Sequence, residues 1–415
     1  MLSGCVVGKN DRLEGDGIVA KQAGWRSHAF RRIEGERYVQ FDAEFQVLTE
    51  GWNRVVGMPY LVYMPEKDRL LMAAYLDYRP CRPAVMFSDD RGETWSEPQL
   101  IASDARNPEF GENFGDTPLS LTYLGGGTVM FSGVEKRWVS TDFGRTWEAR
   151  PIPAGRNGKP WAGWQWEPYL VDRDAKTGKV TRIAETAYSH EGDAYPAQGY
   201  YSQAYIRFSH DEGATWGEEI AVPQWQGVNE VGLVRAPAGH LVAYCRTDLP
   251  ARFRDRAQRQ PEGMEPPDLY SGFGISISED DGLTWSPVRV LFDYGRHFVS
   301  FVVLPDGRMV MTYVVRVGYP FNADGFPTYG IEAMVSRDEG RTWDMDRRII
   351  LDEWTGNLRD KGAWWSSPQS TSSVLLPDGS ILTVYGRAQG CLPTPEGQIG
   401  PPRDIGLLRW RCPQE

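Results

Sequence analysis

Glu167 stands in the run Trp166-Glu167-Pro168-Tyr169-Leu170, and Glu230 follows Asn229 just ahead of the apolar stretch VGLVR. Arg246 closes the next apolar stretch, sixteen residues after Glu230. Asp116 precedes Thr117-Pro118, His190 and His297 lie beside strand-like runs, and Trp161, Trp164, Trp166, Trp364 and Trp365 crowd two short segments. A pair of carboxylates can move protons, one donating while the other attacks carbon or activates water. Arginine binds ligands through a fixed fork of donors. Histidine transfers protons near neutral pH, and indoles offer flat apolar faces. Each residue also has a plain structural reading. Glu230 and Arg246 could be an ion pair across one hairpin, Glu167 a solvated or salt-bridged glutamate, Asp116 a turn residue, and the tryptophans core. Five scattered cysteines contain no C-x-x-C pair, and no phosphate-binding loop occurs, so neither a metal nor an organic cofactor is expected.

What positions these residues is a repeat. The pattern S-x-D-x-G-x-T-W occurs five times without a mismatch, opening at Ser88, Ser140, Ser209, Ser278 and Ser336. Its aspartates (Asp90, Asp142, Asp211, Asp280 and Asp338) should accept backbone N–H groups across a turn, and its glycines should supply the φ > 0 position. Thr and Trp should then start the next strand. Between the boxes runs a second repeat, an apolar strand, a turn and another apolar strand. Its copies are YLVYMPEKDRLLMAAY, LTYLGGGTVMF, YLVDRDAKTGKVTRIAETAY, VGLVRAPAGHLVAYC, FVVLPDGRMVMTYV and SVLLPDGSILTVYG. Six hairpins, five followed by a box, predict an all-β, six-bladed β-propeller. YVQFDAEFQVLT, at 38–49, is expected to supply the outer strand of the last blade and close the ring, which removes exposed edges. Residues 1–37 are read as an N-terminal extension and 38–415 as one propeller.

Composition agrees with this and excludes much else. The chain of 415 residues has 16 Trp, 19 Tyr, 45 Gly and 29 Pro, the mixture of short strands and tight turns. Its net charge of −11 argues against nucleic acid as a partner. No apolar run is long enough to span a membrane. Leu2-Ser3-Gly4-Cys5 has the letters of a lipoprotein cleavage box, but no charged and apolar regions precede it. As written the chain reads as cytoplasmic, with export or lipid anchoring requiring a trimmed precursor.

The five boxes and six hairpins resemble the sialidase superfamily, whose members are six-bladed propellers. In such a ring the loops at one end of the blades build a central pocket. The resemblance implies three arginines that clamp a carboxylate, a Tyr nucleophile with a Glu partner, and an acid/base Asp. Asn229-Glu230 and Arg246 match the Glu and second Arg in setting and spacing. The first arginine belongs in an R-I-P motif where this chain has Gly57-Met58-Pro59, and the third falls at Thr328. The Tyr slot holds Trp364-Trp365-Ser366, and Asp77 lies near the acid/base slot. W-E-P-Y-L at 166–170 is similar to a motif of the exo-arabinanases of the same clan, in which the Glu is catalytic; their second carboxylate falls where this chain has Arg246.

These likenesses imply an exo-acting glycoside hydrolase that cleaves a terminal sugar and is not a sialidase in the strict sense. Glu167 and Glu230 would be its carboxylate pair. Arg246, Asp116, His190, His297, Trp164, Trp166 and Trp365 would contact the carbohydrate. The alternatives are a uronate-specific lyase, using His190 or His297 with a Tyr, and a glycan-binding propeller without turnover. Nothing in the sequence bears on oligomeric state.

Overall fold

The computed structural model describes residues 24–52, 54–77, 82–101, 117–133, 136–155, 165–190, 202–248, 271–356, 367–388 and 403–414. A hairpin of β1 (Arg26–Glu34) and β2 (Arg37–Val47) comes first. The next group is β3 (Val56–Met64), β4 (Arg69–Leu76), β5 (Arg82–Ser88) and β6 (Gln99–Leu100). It is followed by β7 (Thr122–Gly125), β8 (Thr128–Ser132), β9 (Lys136–Ser140) and β10 (Glu148–Pro151). The third group is β11 (Leu170–Arg173), β12 (Val180–His190), β13 (Ser202–Ser209) and β14 (Ile220–Gln226). The fourth is β15 (Val228–Arg235), β16 (Leu241–Thr247), β17 (Phe273–Ser278) and β18 (Arg289–Phe292). Then come β19 (Arg296–Val303), β20 (Met309–Val315), β21 (Thr328–Ser336) and β22 (Ile349–Thr355), and last β23 (Thr371–Leu375), β24 (Ile381–Ala388) and β25 (Arg403–Trp410).

Four of these groups are separate four-stranded antiparallel sheets. The other nine strands form one sheet, in the order β19-β20-β21-β22-β1-β2-β25-β24-β23. Counted as sheets, four blades stand alone where six were expected. The reason is the N-terminal hairpin. β2 pairs with β25 as the expected outer strand of the last blade, while β1 pairs with β22 of the blade before it. The nine-stranded sheet thus repeats the four-strand order twice, fused through β1, and it takes in Arg26–Glu34 from the segment 1–37. The ring closes where β3 packs against β23 and β24.

The central strands of each group are buried on both faces, because each sheet is sandwiched between two others. This is why β4 (RLLMAAYL) and β20 (MVMTYVV) are continuous apolar runs and not alternating ones. Two of the outermost strands, β10 and β18, are short and largely exposed, whereas β22 is covered by β1. Apolar layers lie between neighbours: Leu61, Leu70 and Met72 meet Leu382, Val384 and Leu407 across the closure. Tyr244 and Phe273 meet Met311 and Tyr313. Each such side chain contributes roughly 1.5–3 kcal/mol of burial.

All five boxes form as local clamps. In the third, the Ser209 hydroxyl donates to Asp211 at 2.8 Å and accepts the Gly213 N–H at 2.9 Å. Asp211 accepts the Thr215 N–H at 2.8 Å and its hydroxyl at 2.5 Å, and the Trp216 indole donates to the Gly213 carbonyl at 3.1 Å. Two details differ from expectation. The residue before each glycine (Arg91, Phe143, Glu212, Asp281 and Glu339) also has a φ near +60°, so two successive left-handed residues make the turn. The aspartate clamp holds side-chain-bearing residues where glycine is favoured. Only after the second box does a strand follow Trp directly, at Glu148; after the others the indole packs inward before the chain extends again.

Candidate active site

The hairpin strands β3, β11, β15 and β19 stand innermost in their groups, so the residues at their heads meet about the axis. Strands lying edge-on to an axis point their side chains at neighbouring blades, and something must turn a residue inward. In three blades the strand carries a bulge at this point. Met58 (φ 49°), Glu230 (φ 41°) and Phe298 (φ 58°) are each the third residue of β3, β15 and β19. At each of them the pairing register slips. Bulges re-aim side chains in this way and gather beside functional sites. A left-handed φ at a residue with a side chain costs of order 1–3 kcal/mol.

Glu167 reaches the same place from the segment ahead of β11. That segment is held from two sides. The Tyr60 hydroxyl donates to the Trp166 carbonyl at 3.2 Å. The Ser132 hydroxyl donates to Gln165 Oε1 at 2.8 Å, and the Tyr169 N–H donates to Thr122 Oγ1 at 2.9 Å. The Glu167 carboxyl then lies against β15, where a Cβ on Gly232 would stand 3.1 Å from its Oε2. Glu167 is only 5% exposed, and its Oε1 has no hydrogen-bond partner among the described residues.

Glu230 is equally buried but differently partnered. Arg246, directly across the hairpin, donates to Glu230 Oε1 through Nη1 and to the Ser271 hydroxyl at 3.3 Å through Nη2. Burial first, and then the field of Glu230, pushes the Glu167 carboxyl well above the usual carboxylate range, against a partial offset from Arg246. Two tyrosines flank the pair. Tyr244 accepts the Phe298 N–H at 2.6 Å, and the Tyr60 ring lies 6.4 Å from that of Phe298. Burial, followed by the charges of the two glutamates, pushes both phenols well above their ordinary value, so both stay protonated.

The other residues singled out in the sequence fall as follows. Trp166 is half-buried and offers its carbonyl to Tyr60. Arg246, expected to face the ligand, is engaged by Glu230 and Ser271. His297 is fully buried beside the bulge. His190 ends β12, and its side chain is outside the description. Asp116, Trp164 and Trp365 lie outside the described residues. Asp77 is held by Arg54 at 2.8 Å and by Arg82. Thr328 opens β21, pairing with Thr355. At Gly57 a Cβ would stand 2.5 Å from the Tyr75 hydroxyl, which donates to Gln369 Oε1 at 2.8 Å. Tyr75 occupies the room a side chain at 57 would need.

Sequence reasoning passed over Met58, Tyr60, Gly232, Tyr244 and Phe298, which read as ordinary strand residues. One signal was present: Met58-Pro59-Tyr60-Leu61-Val62 and Glu167-Pro168-Tyr169-Leu170-Val171 share four of five letters.

Fold and arrangement together define a sialidase-like propeller. The chain belongs to the BNR repeat-like domain family, whose family model matches residues 83–344, more than half of its length. No curated protein matches the chain. Among solved structures it is similar to a protein of unknown function from Dyadobacter fermentans DSM 18053. The TM-score is 0.60 at 18% identity, covering 94% of this chain and 100% of that one. It is also similar to the Hadza microbial sialidase Hz136, with a TM-score of 0.54 at 15% identity over 86% of this chain and 66% of that one. Likenesses at such identities establish the fold and leave the chemistry to the site.

Proposed function

We propose that the protein is a glycoside hydrolase that removes a terminal sugar, with Glu167 as proton donor and Glu230 as the ionised partner. One observation carries this reading: two buried glutamates from adjacent blades share one field, and among the described residues Arg246 is bonded to Glu230 and not to Glu167. The Arg246 fork is placed to favour the charged form of Glu230, while burial and the field of that charge raise the Glu167 carboxyl well above the ordinary range. Two carboxyls driven apart in this way are the usual arrangement for acid and base roles.

Glu167 would pass its proton to the glycosidic oxygen as the C–O bond breaks, so that the leaving alcohol departs neutral. Glu230 would either attack the anomeric carbon or take a proton from the water that does so. In both courses one water is consumed: on the covalent course Glu167 takes back a proton from the water that cleaves the glycosyl-enzyme, and on the direct course Glu230 sheds the water's proton to solvent while Glu167 regains one from it. A sialate is not the substrate class we propose, since Tyr75 fills the space at Gly57 and Arg246 already serves Glu230.

The test is an activity screen of the wild type beside Glu167→Gln and Glu230→Gln on aryl glycosides and plant oligosaccharides. Each substitution should lower kcat by about 10²–10⁴-fold with the fold intact. Turnover indifferent to both would overturn the carboxylate pair. Sugar binding without turnover on any substrate would make the propeller a glycan-binding protein.

A further inference from the structure

Three innermost strands carry the same costly feature at the same position, and only one of the three residues has a role in the proposed reaction. Glu230 is that residue. Met58 and Phe298 hold the equivalent place on two other blades, also at left-handed φ and also at a register slip. Glycine would adopt that backbone without cost, and this chain uses glycine freely at its turns. Here it keeps side chains, and both are apolar.

Their surroundings tie them to the carboxyl pair. Both belong to the cluster that contains Tyr60, with Trp166 packed against it. The Tyr60 ring faces Phe298 across 6.4 Å, and its hydroxyl holds the Trp166 carbonyl, one residue from Glu167. The Phe298 bulge is pinned at its N–H by Tyr244, whose strand partner is Gly232, the residue against which Glu167 lies. Tyr60 lies in the field of both carboxyls, and Met58 and Phe298 share its apolar cluster, so the three make an apolar wall beside the pair.

We infer that Phe298 and Met58 are substrate-contacting residues, which with Tyr60 take the C–H face of the sugar whose glycosidic bond lies between Glu167 and Glu230. This rests on the hydrolase reading above. Carbohydrate sites combine such apolar surface with a few convergent polar groups. An apolar residue at a bulge, in the cluster that lies beside an acid pair, is placed for that contact.

The experiment measures kcat and KM, on the best glycoside of the screen, for Phe298→Leu and Met58→Leu, with Glu167→Gln alongside. Phe298→Leu keeps an apolar side chain but removes the flat face; KM should rise about tenfold with kcat nearly unchanged, as expected when uniform binding is lost. Met58→Leu nearly conserves volume and so tests the wall if Phe298→Leu does not fold. It should raise KM by a smaller factor, about threefold. An unchanged KM in a folded variant, or a loss confined to kcat, would overturn the inference and leave these residues as props of the bulge. If Glu167→Gln silences the enzyme while both KM values stay put, only the wall fails. If Glu167→Gln retains turnover, or no glycoside is cleaved by the wild type, the hydrolase reading fails and the wall with it.

Discussion

Glu167 is the residue whose chemistry most depends on where the chain has put it. Its carboxyl is buried, lacks a partner at Oε1 among the described residues, and lies in the field of Glu230. Its folded pKa is therefore raised above the ordinary 4.5. A group of that kind contributes its full stability below the unfolded pKa and loses it as pH climbs toward the folded one. Glu167→Gln should match the wild type in Tm near pH 4 and exceed it near pH 8, a difference thermal unfolding at the two pH values reads directly. Equal Tm values at both would mean that Glu167 is not held neutral. The same sign applies to turnover. Activity that needs the protonated acid should fall on the alkaline side, and that limb belongs to Glu167. Arg246 has the opposite duty. Arg246→Met would take from the buried Glu230 its cationic partner across the hairpin, a loss of about 3–5 kcal/mol. It would also remove the charge that partly offsets the rise at Glu167.

Among elements, the box was the most legible part of the chain, because all its bonds form within eight residues. The Ser and Asp side chains and the Thr and Gly backbone close on one another with no help from elsewhere. The Thr215 hydroxyl, then its N–H and the Ser209 hydroxyl, hold Asp211 down to about 2, below its usual 3.8. With a depressed pKa, the contribution is complete above 3.8 and disappears as pH falls through about 2. Asp211→Ala should therefore lower Tm at pH 7, lose that deficit near pH 2, and leave kcat/KM unchanged. A loss of activity in a folded Asp211→Ala protein would place the box in the site, contrary to its position at the outer turn of a blade. The bulges were not legible. Nothing in VVGMPYLV, GVNEVGLV or GRHFVSFV announces that one residue will be left-handed, because the slip arises from pairing with β4, β16 and β20.

For the whole molecule, the contacts between blades decide the outcome. Between the second and third blades, Glu185 accepts from both Arg137 and Arg207, all three side chains 3% exposed or less. Arg207 also donates to the carbonyls of Pro153 and Ala154. Removing this shared anion would take the carboxylate partner from two buried guanidinium groups, so Glu185→Ala should cost about 3–5 kcal/mol, far more than Glu148→Ala at the exposed Arg150–Glu148 pair. Denaturant unfolding of Glu185→Ala beside Glu148→Ala checks the contrast. The N-terminal hairpin works at this scale too. By pairing with both β22 and β2, β1 joins two blades into one sheet, and Arg31–Glu353 and Arg347–Glu34 cross the same seam.

By itself the sequence determined the repeating parts. Hairpins and boxes depend on apolar period, turn residues and hydrogen bonds over a few positions, and these are written in order along the chain. It also carried two glutamates worth weighing, one of them facing Arg246 across a single hairpin. Only the tertiary structure decided that Glu167 and Glu230 share one field, that Arg246 serves the second and not the first, and that Tyr60, Tyr244 and Phe298 surround them. It decided as well that Tyr75 fills the space at Gly57. The physical reason is common to all of these. A carboxyl's proton affinity and a bulge's direction are set by what closes over them, and here Tyr60 reaches Trp166 across 106 residues of chain and Tyr244 reaches Phe298 across 54.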